Sequence, residues 1–198
     1  MANVVEKFGL RPYSKLDGRP LVGAQNIYSI ASNHTTAIFQ GDLVIPLTAG
    51  TIDRHTANNS TAVIGVFNGC FYTDPTTQKP TFRNSYPGGI AASDITAFVV
   101  DDPDAVFLMD ADDTFAQADL FRNYSVTTGS GNTTTGISEV QLDVSVSGTN
   151  ASFIIQAIDI SQDPDNSDTG SANANILVRI NKHFYRNGQV YKENRLWQ

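Results

Sequence analysis

The sequence predicts an all-β protein, an antiparallel β-sandwich or barrel with one short helix and extended terminal arms. Three observations carry that expectation. Short runs rich in Val, Ile, Phe and Tyr recur along the chain, separated by Gly, Pro, Asn and Asp. Val140, Leu142, Val144 and Val146 alternate with Gln141, Asp143 and Ser145, the period of a half-exposed strand. At the centre, the apolar runs 95–100 and 105–109 flank Asp101-Asp102-Pro103-Asp104. Pro103 fixes φ and has no N–H for a ladder, and aspartates bond nearby backbone N–H groups, so these four residues form a turn. The expectation is strand, tight connection, strand: a hairpin in the middle of the β-core.

Residues 1–25 read as an N-terminal arm. Gly9, Pro12, Gly18, Pro20 and Gly23 prevent a regular helix. Phe8, Leu10, Tyr13 and Leu16 give the arm apolar residues with which to lie on a surface. The body, 26–183, opens with strands at 27–30 and 36–39, a Gly41-Asp42 turn and a strand at 43–47. Residues 63–67 are a strand closed by Asn68-Gly69, and 70–72 continue it as the second arm of a hairpin. Residues 73–89, with Asp74-Pro75, Lys79-Pro80 and Pro87-Gly88-Gly89, form a long loop. That length in a compact domain signals a functional or interaction surface. Asp112-Asp113-Thr114 is an N-cap cluster, and Ala116, Leu120 and Phe121 place the short helix near 115–122. Residues 127–136 are a loop, and strands at 152–160 and 175–180 are joined by the polar loop 161–174. The tail, 184–198, carries Asn187-Gly188 between aromatic and apolar residues, a hairpin signal. The pattern amounts to about nine or ten strands.

A chain of 198 residues is one domain with arms, long enough to bury roughly 70% of its unfolded surface without disulfide or metal. Its single cysteine, Cys70, cannot form an internal disulfide. No apolar run approaches the ~20 residues that span a bilayer. The N-terminus lacks a signal-peptide layout, so a soluble protein made in a cytoplasm is expected. The net charge of −7 is unevenly spread. Residues 1–19 and 179–198 hold nine basic residues against three acidic ones, a net +6. The remainder holds four basic residues against seventeen acidic ones, a net −13. An acidic body repels nucleic acid and anionic lipid. The basic ends suit an acidic protein surface, either this chain's own body or a neighbouring subunit.

Little in the chain points to catalysis. His34, His55 and His183 lie in no serine-activating motif, and there is no Gly-x-Ser-x-Gly elbow. Cys70 follows an apolar strand and reads as a structural thiol. Gly41-Asp42-Leu43-Val44-Ile45-Pro46 with His55 and Asn59 echoes a metal motif, but His34 stands alone where further ligands are needed. Asp163-Pro164-Asp165-Asn166-Ser167-Asp168 offers oxygen ligands without the Gly and late Glu of a calcium loop, so an acidic loop is the default. Twenty acidic residues guarantee close carboxylate pairs, yet nothing singles one out. Gly129-Ser130-Gly131 is a flexible connection. No enzyme activity, cofactor or metal is expected.

Four blocks, in order, are Phe8-Gly9-Leu10-Arg11-Pro12, Gly65-Val66-Phe67-Asn68-Gly69-Cys70, Asp101-Asp102-Pro103-Asp104-Ala105-Val106-Phe107 and Leu177-Val178-Arg179-Ile180-Asn181. In this order and spacing the chain, over roughly 2–183, resembles the head decoration or cement proteins of tailed bacteriophages. The resemblance implies a β-rich virion structural protein, made in the host cytoplasm. Such a module binds the outside of the phage head and clamps adjacent major capsid proteins. It implies the major capsid protein and copies of itself as partners, a homotrimer before a dimer, with no nucleic acid and no membrane. It carries over no catalytic residue and is silent on 184–198. Interface composition, rich in aromatics and Arg, picks out Phe8, Arg11, Tyr13, Arg19, Phe184, Tyr185, Arg186, Tyr191, Arg195 and Trp197 as interface candidates. The arm, the tail or both are expected to reach a neighbouring subunit or the capsid floor. The alternative is a tail or spike component that binds host surface glycan through an aromatic-lined groove.

Overall fold

The computed structural model describes residues 3–56, 61–127, 129–149 and 152–186. In chain order the strands are β1 (Arg11–Lys15), β2 (Gln25–Ser29), β3 (Leu43–Pro46), β4 (Ile52–Arg54), β5 (Gly65–Thr73) and β6 (Pro80–Arg83). They continue with β7 (Thr96–Val100), β8 (Ala105–Asp110), β9 (Asn123–Val126), β10 (Leu142–Gly148), β11 (Ile155–Ile160) and β12 (Asn175–Ile180). One antiparallel sheet has the order β1-β8-β12-β11-β9-β10. The other has the order β2-β7-β5-β3-β4, with β6 paired to β5. The two pack as a β-sandwich; no closed barrel forms.

The sandwich core joins Leu43, Val66 and Val100 of the second sheet to Phe107, Met109, Tyr124, Leu142, Ile155 and Val178 of the first. The second sheet also buries its opposite face. Val44, Ile52, Phe67, Cys70, Tyr72, Ala97 and Val99 pack there with Ile30, Ile38 and Tyr86 from the connecting segments. A single bridge between Ser29 and Thr51 links β2 to the segment leading into β4. Burial on both faces explains why 63–72 and 95–100 are nearly continuous apolar runs.

That arrangement corrects the central hairpin. β7 and β8 form at the expected places but do not pair: β7 lies between β2 and β5, and β8 lies between β1 and β12. The Asp101–Asp104 turn therefore carries the chain from one sheet to the other. Asn68-Gly69 is also not a turn. β5 runs straight through it for nine residues, and its register against β7 shifts between Phe67 and Gly69. The pair is a β-bulge, with Gly69 at φ 137. The chain does not reverse there because backbone bonds from Gly41 N–H to Phe67 O and from Phe67 N–H to Asp42 O hold it extended before the pair, and pairing of Cys70 with Ala97 and of Phe71 with Thr96 holds it extended after.

Other expectations change for local reasons. The long loop 73–89 contains β6, since Asp74 accepts from the N–H groups of Thr76 and Thr77 and closes a tight turn before it. Pro80 sits at the first position of that edge strand, where a missing N–H is harmless. The strand at 36–39 reduces to one bridge between Ile38 and Tyr86. The helix near 115–122 is a single 3₁₀ turn, Gln117–Asp119. Its start is held by the Asp119 carboxylate accepting from Ala116 N–H, so the Asp112–Thr114 cluster is not its cap. It stops because Phe121 turns to φ 64 and gives its N–H to Ala157 O. β10 starts only at Leu142, and Val146 is exposed. Asp143 accepts from Ser145 and Val146 N–H groups and disturbs the register against β9.

The N-terminal arm is built into the body. Phe8 and Leu10 are buried, and β1 is the edge strand of the first sheet beside β8. No described helix is long and apolar enough to cross a membrane.

Two measurements test this packing. Phe107 is fully buried in the sandwich core. Phe107→Ala should cost about 3–5 kcal/mol in chemical denaturation. Asp110, also fully buried, accepts one bond from Gln141 Nε2 at 2.8 Å. Burial pushes its carboxyl up from 3.8 to about 7. The fold favours the neutral form, so this contribution is complete below pH 3.8 and is lost as pH rises through about 7. Asp110→Asn should therefore gain melting temperature relative to the wild type between pH 4 and pH 8.

Candidate functional site

Charges and aromatics from both ends of the chain converge on the Asp101–Asp104 crossing. Asp101 is nearly buried, and its carboxylate accepts from Asn26 Nδ2 at 3.0 Å and from the Tyr28 hydroxyl. Tyr28 and Tyr185 hydroxyls lie 2.8 Å apart, continuing the chain of bonds outward. Burial, and then the bond to Asp101, hold the Tyr28 phenol protonated far above its usual range. Asp102 meets Lys15 Nζ at 2.7 Å, and this bond lowers the Asp102 carboxyl. Asp104 pairs with Arg186, while its carbonyl accepts from Leu16 N–H at 2.9 Å. The Asp101 backbone N–H reaches Ala24 O at 3.3 Å.

His183 lies fully buried beside this cluster. Its Nδ1 accepts from the Tyr185 N–H at 3.2 Å, and the two rings stand 5.8 Å apart. Burial lowers its pKa, with Asp101 and Asp102 opposing and Arg186 adding to the shift. Val63 fastens the same segment, giving its N–H to Lys182 O and accepting from Phe184 N–H. Outside the cluster, Ala24, Asn26, Tyr28, Pro103 and Tyr185 line an open depression of ≈ 890 Å³. The Asp101, Asp102 and Asp104 carboxylates are each engaged by donors of this same chain. The arrangement locks Lys15, Tyr185 and Arg186, from either end of the described chain, onto its middle.

The interface candidates divide. Phe8 is 2% exposed and packs in this chain's own interior. Arg11 lies over the Phe8 ring, 4.0 Å from its centroid. Tyr13 is exposed on β1, and Arg19 bonds Asp17. Phe184 packs partly against the second core, and Tyr185 and Arg186 belong to the lock. Tyr191, Arg195 and Trp197, with the Asn187-Gly188 hairpin, lie outside the described residues, as does Asn59. Sequence reasoning missed Asn26, Tyr28 and Asp101 as a unit. The one available signal was an aspartate placed directly after a fully apolar strand.

Cys70, His34 and Asp42 are each held by groups of the same chain. Burial pushes the Cys70 thiol up to about 12, consistent with a structural role. His34 Nε2 meets Asp53 at 2.8 Å, and Asp42 accepts from Phe39 N–H and Ser138 Oγ. The acidic loop after β11 clasps the N-terminus instead of gathering its carboxylates. Asn3 Nδ2 donates to the Asp168 and Ala172 carbonyls, and Asn166 bonds the Val4 backbone. Among the described residues no three His, Cys, Asp or Glu side chains are grouped as a metal would need. Comparison with known proteins finds no matching family model, no matching curated protein and no matching solved structure.

The lock has a pH dependence of definite sign. The fold favours neutral His183, so its contribution is present above the ordinary 6.5 and is lost as pH falls through the lowered value. A doubly protonated ring has no acceptor for the Tyr185 N–H. The Tyr185 amide resonance should move on acidification from pH 7.5 to 5 in the wild type. It should hold still in His183→Asn, whose amide oxygen can accept at any pH.

Proposed function

We propose that this chain is a non-enzymatic virion structural protein, a decoration or cement protein that binds the outside of a tailed-phage head and clamps adjacent major capsid proteins. One observation carries the reading: the four blocks behind the resemblance, far apart in sequence, adjoin one another in space. β1 pairs with β8, and β8 pairs with β12, joining the first, third and fourth blocks. Leu10 N–H bonds Gly41 O, and Gly41 N–H bonds Phe67 O, joining the first block to the second. A side chain on Gly65 would meet Val100 O at 2.3 Å and the Asp101 Cα at 2.9 Å, so the second block lies directly against the start of the third.

Exposed apolar side chains support an assembly role. Val22 (80% exposed) and Ile27 (68%) lie at or just before the edge strand β2, and Phe82 (65%) lies on β6. Phe82 and Phe98 rings are 5.9 Å apart across that surface. Isolated apolar residues are ordinary on any surface, but adjoining ones mark a contact. The body would bear the load, since both ends are locked to it at the crossing between the sheets. The homotrimer and the position on the head exterior belong to the same proposal.

Purified heads lacking this protein test the reading. The added chain should co-sediment with them and raise their resistance to heat, with density for it on the outer surface. Val22→Asp combined with Ile27→Asp should abolish retention while leaving the melting temperature of the free protein unchanged. Absence from heads, together with binding to bacterial surface polysaccharide through Phe82 and Phe98, would establish the glycan-binding alternative instead.

A further inference from the structure

Among the described residues, five strands pair with one other strand only: β1, β2, β4, β6 and β10. Four of these edges are guarded against a further strand. β1 carries Arg11, Pro12 and Lys15, and its register against β8 shifts between Pro12 and Ser14. β4 is three residues long and includes Asp53 and Arg54. β6 opens on Pro80 and closes on Arg83. β10 carries Asp143, where its register against β9 shifts. Charge, proline, shortness and bulges are the devices by which edge strands avoid pairing. β2 lacks them: it has no charge and no proline, and its register against β7 is unbroken over five residues. No Asp, Glu, Lys or Arg occurs between Pro20 and Gly41.

The open side of β2 is set to receive a strand. Asp101 N–H bonds Ala24 O, and Ile30 N–H bonds Ile95 O, so Ala24, Asn26, Tyr28 and Ile30 turn their backbone groups toward β7. Alternation then points the N–H and C=O groups of Gln25 and Ile27 away from the sheet. Both residues are exposed, Ile27 by 68%. Only at Ser29 is the edge closed, by its bridge to Thr51.

The end of the described chain lies beside this edge. Ala24, Gln25, Asn26, Ile27 and Tyr28 line the open depression, and Tyr185 lines it with them. Arg186, the last described residue, is held to Asp104. Residues 187–198 therefore start here, and extended they reach ~40 Å against a β2 length of ~17 Å. Asn187-Gly188 is a reversing dipeptide that turns the strand formers Val190 and Tyr191 back toward Tyr185. Tethering at Arg186 gives this segment an effective concentration on the order of millimolar, which a free partner lacks. Lys192 and Arg195 against Glu193 also suit the acidic body.

We infer that residues 187–198 add to the open edge of β2 in the same molecule, with Val190 and Tyr191 pairing beside Gln25 and Ile27. Backbone pairing leaves the Ile27 side chain on the face it shares with Phe98, so the inference neither needs nor excludes attachment to a phage head.

Hydrogen exchange of the Gln25 and Ile27 amides in the full chain reads the pairing. Both should exchange about tenfold more slowly than in Val190→Pro combined with Tyr191→Pro, which removes two N–H groups from the tail. The Asn26 and Tyr28 amides, turned to β7, should exchange equally in both proteins, so a loss of fold would not imitate the effect. A nitroxide attached through Asn194→Cys, with Cys70 buried from the reagent, should broaden the Ile27 resonance of its own chain. Fast exchange at Gln25 and Ile27 in the wild type would overturn the inference. So would slow exchange that the prolines leave unchanged, since another group would then cover the edge. Broadening of isotope-labelled chains by a separate nitroxide-bearing chain would mean that a second copy's tail is the occupant, and would overturn pairing within one molecule.

Discussion

Everything in this molecule turns on how a run of acidic residues is accommodated where the chain passes between two sheets. Consecutive strands β7 and β8 belong to different layers, so the backbone must leave one ladder and join another within four residues. Three of those four are aspartates. A carboxylate next to a packed core is tolerated only when donors reach it. Here the donors come from three places: Asn26 and Tyr28 on β2, Lys15 on β1, and Arg186 after β12. The crossing therefore gathers the start and the end of the chain onto its middle. The uneven charge acquires a physical meaning from this. Part of the basic excess at the ends is spent on the acidic body of the same molecule.

The second constraint is a sheet buried on both faces. The second sheet contributes Val66 and Val100 to the sandwich core, and Phe67, Cys70, Ala97 and Val99 to a core of its own. Such strands have no solvated side to mark their register, so close backbone approach does that work. Gly65 is the clearest case, because any side chain there would collide with the Val100 carbonyl. The bulge at Asn68-Gly69 shifts the register of β5 and leaves the Asn68 amide bonded to Gln40 and Gln25. The second sheet carries Phe82, Phe98 and Ile27 where the first sheet does not cover them, and these give the molecule an apolar surface.

Element by element, legibility followed how local the determining force was. β12 was read to the residue, and β7 and β8 to within one, because apolar runs bounded by turn residues leave little choice. The 3₁₀ turn was read as a helix because Ala116, Leu120 and Phe121 have helical spacing, yet the Phe121 N–H is taken by the Ala157 carbonyl of β11. Asn-Gly at 68–69 was read as a reversal because its ordinary use is in hairpins. Backbone bonds from the distant Gly41 and Asp42 keep the strand going. The arm was read as lying on a surface through Phe8, Leu10, Tyr13 and Leu16; Phe8 and Leu10 are buried in this chain's own body, while Tyr13 and Leu16 stay exposed.

The order of residues alone determined the all-β class, most strand positions, the turn at 101–104 and the division of charge between ends and body. Period-two alternation, proline geometry and charge are properties of neighbouring residues and need no partner to be felt. Which strands share a sheet, whether a turn closes a hairpin or crosses between layers, and which donor meets which carboxylate were decided only by the folded structure. Those choices depend on groups distant along the chain, and packing selects among pairings that local preference leaves nearly equal in free energy.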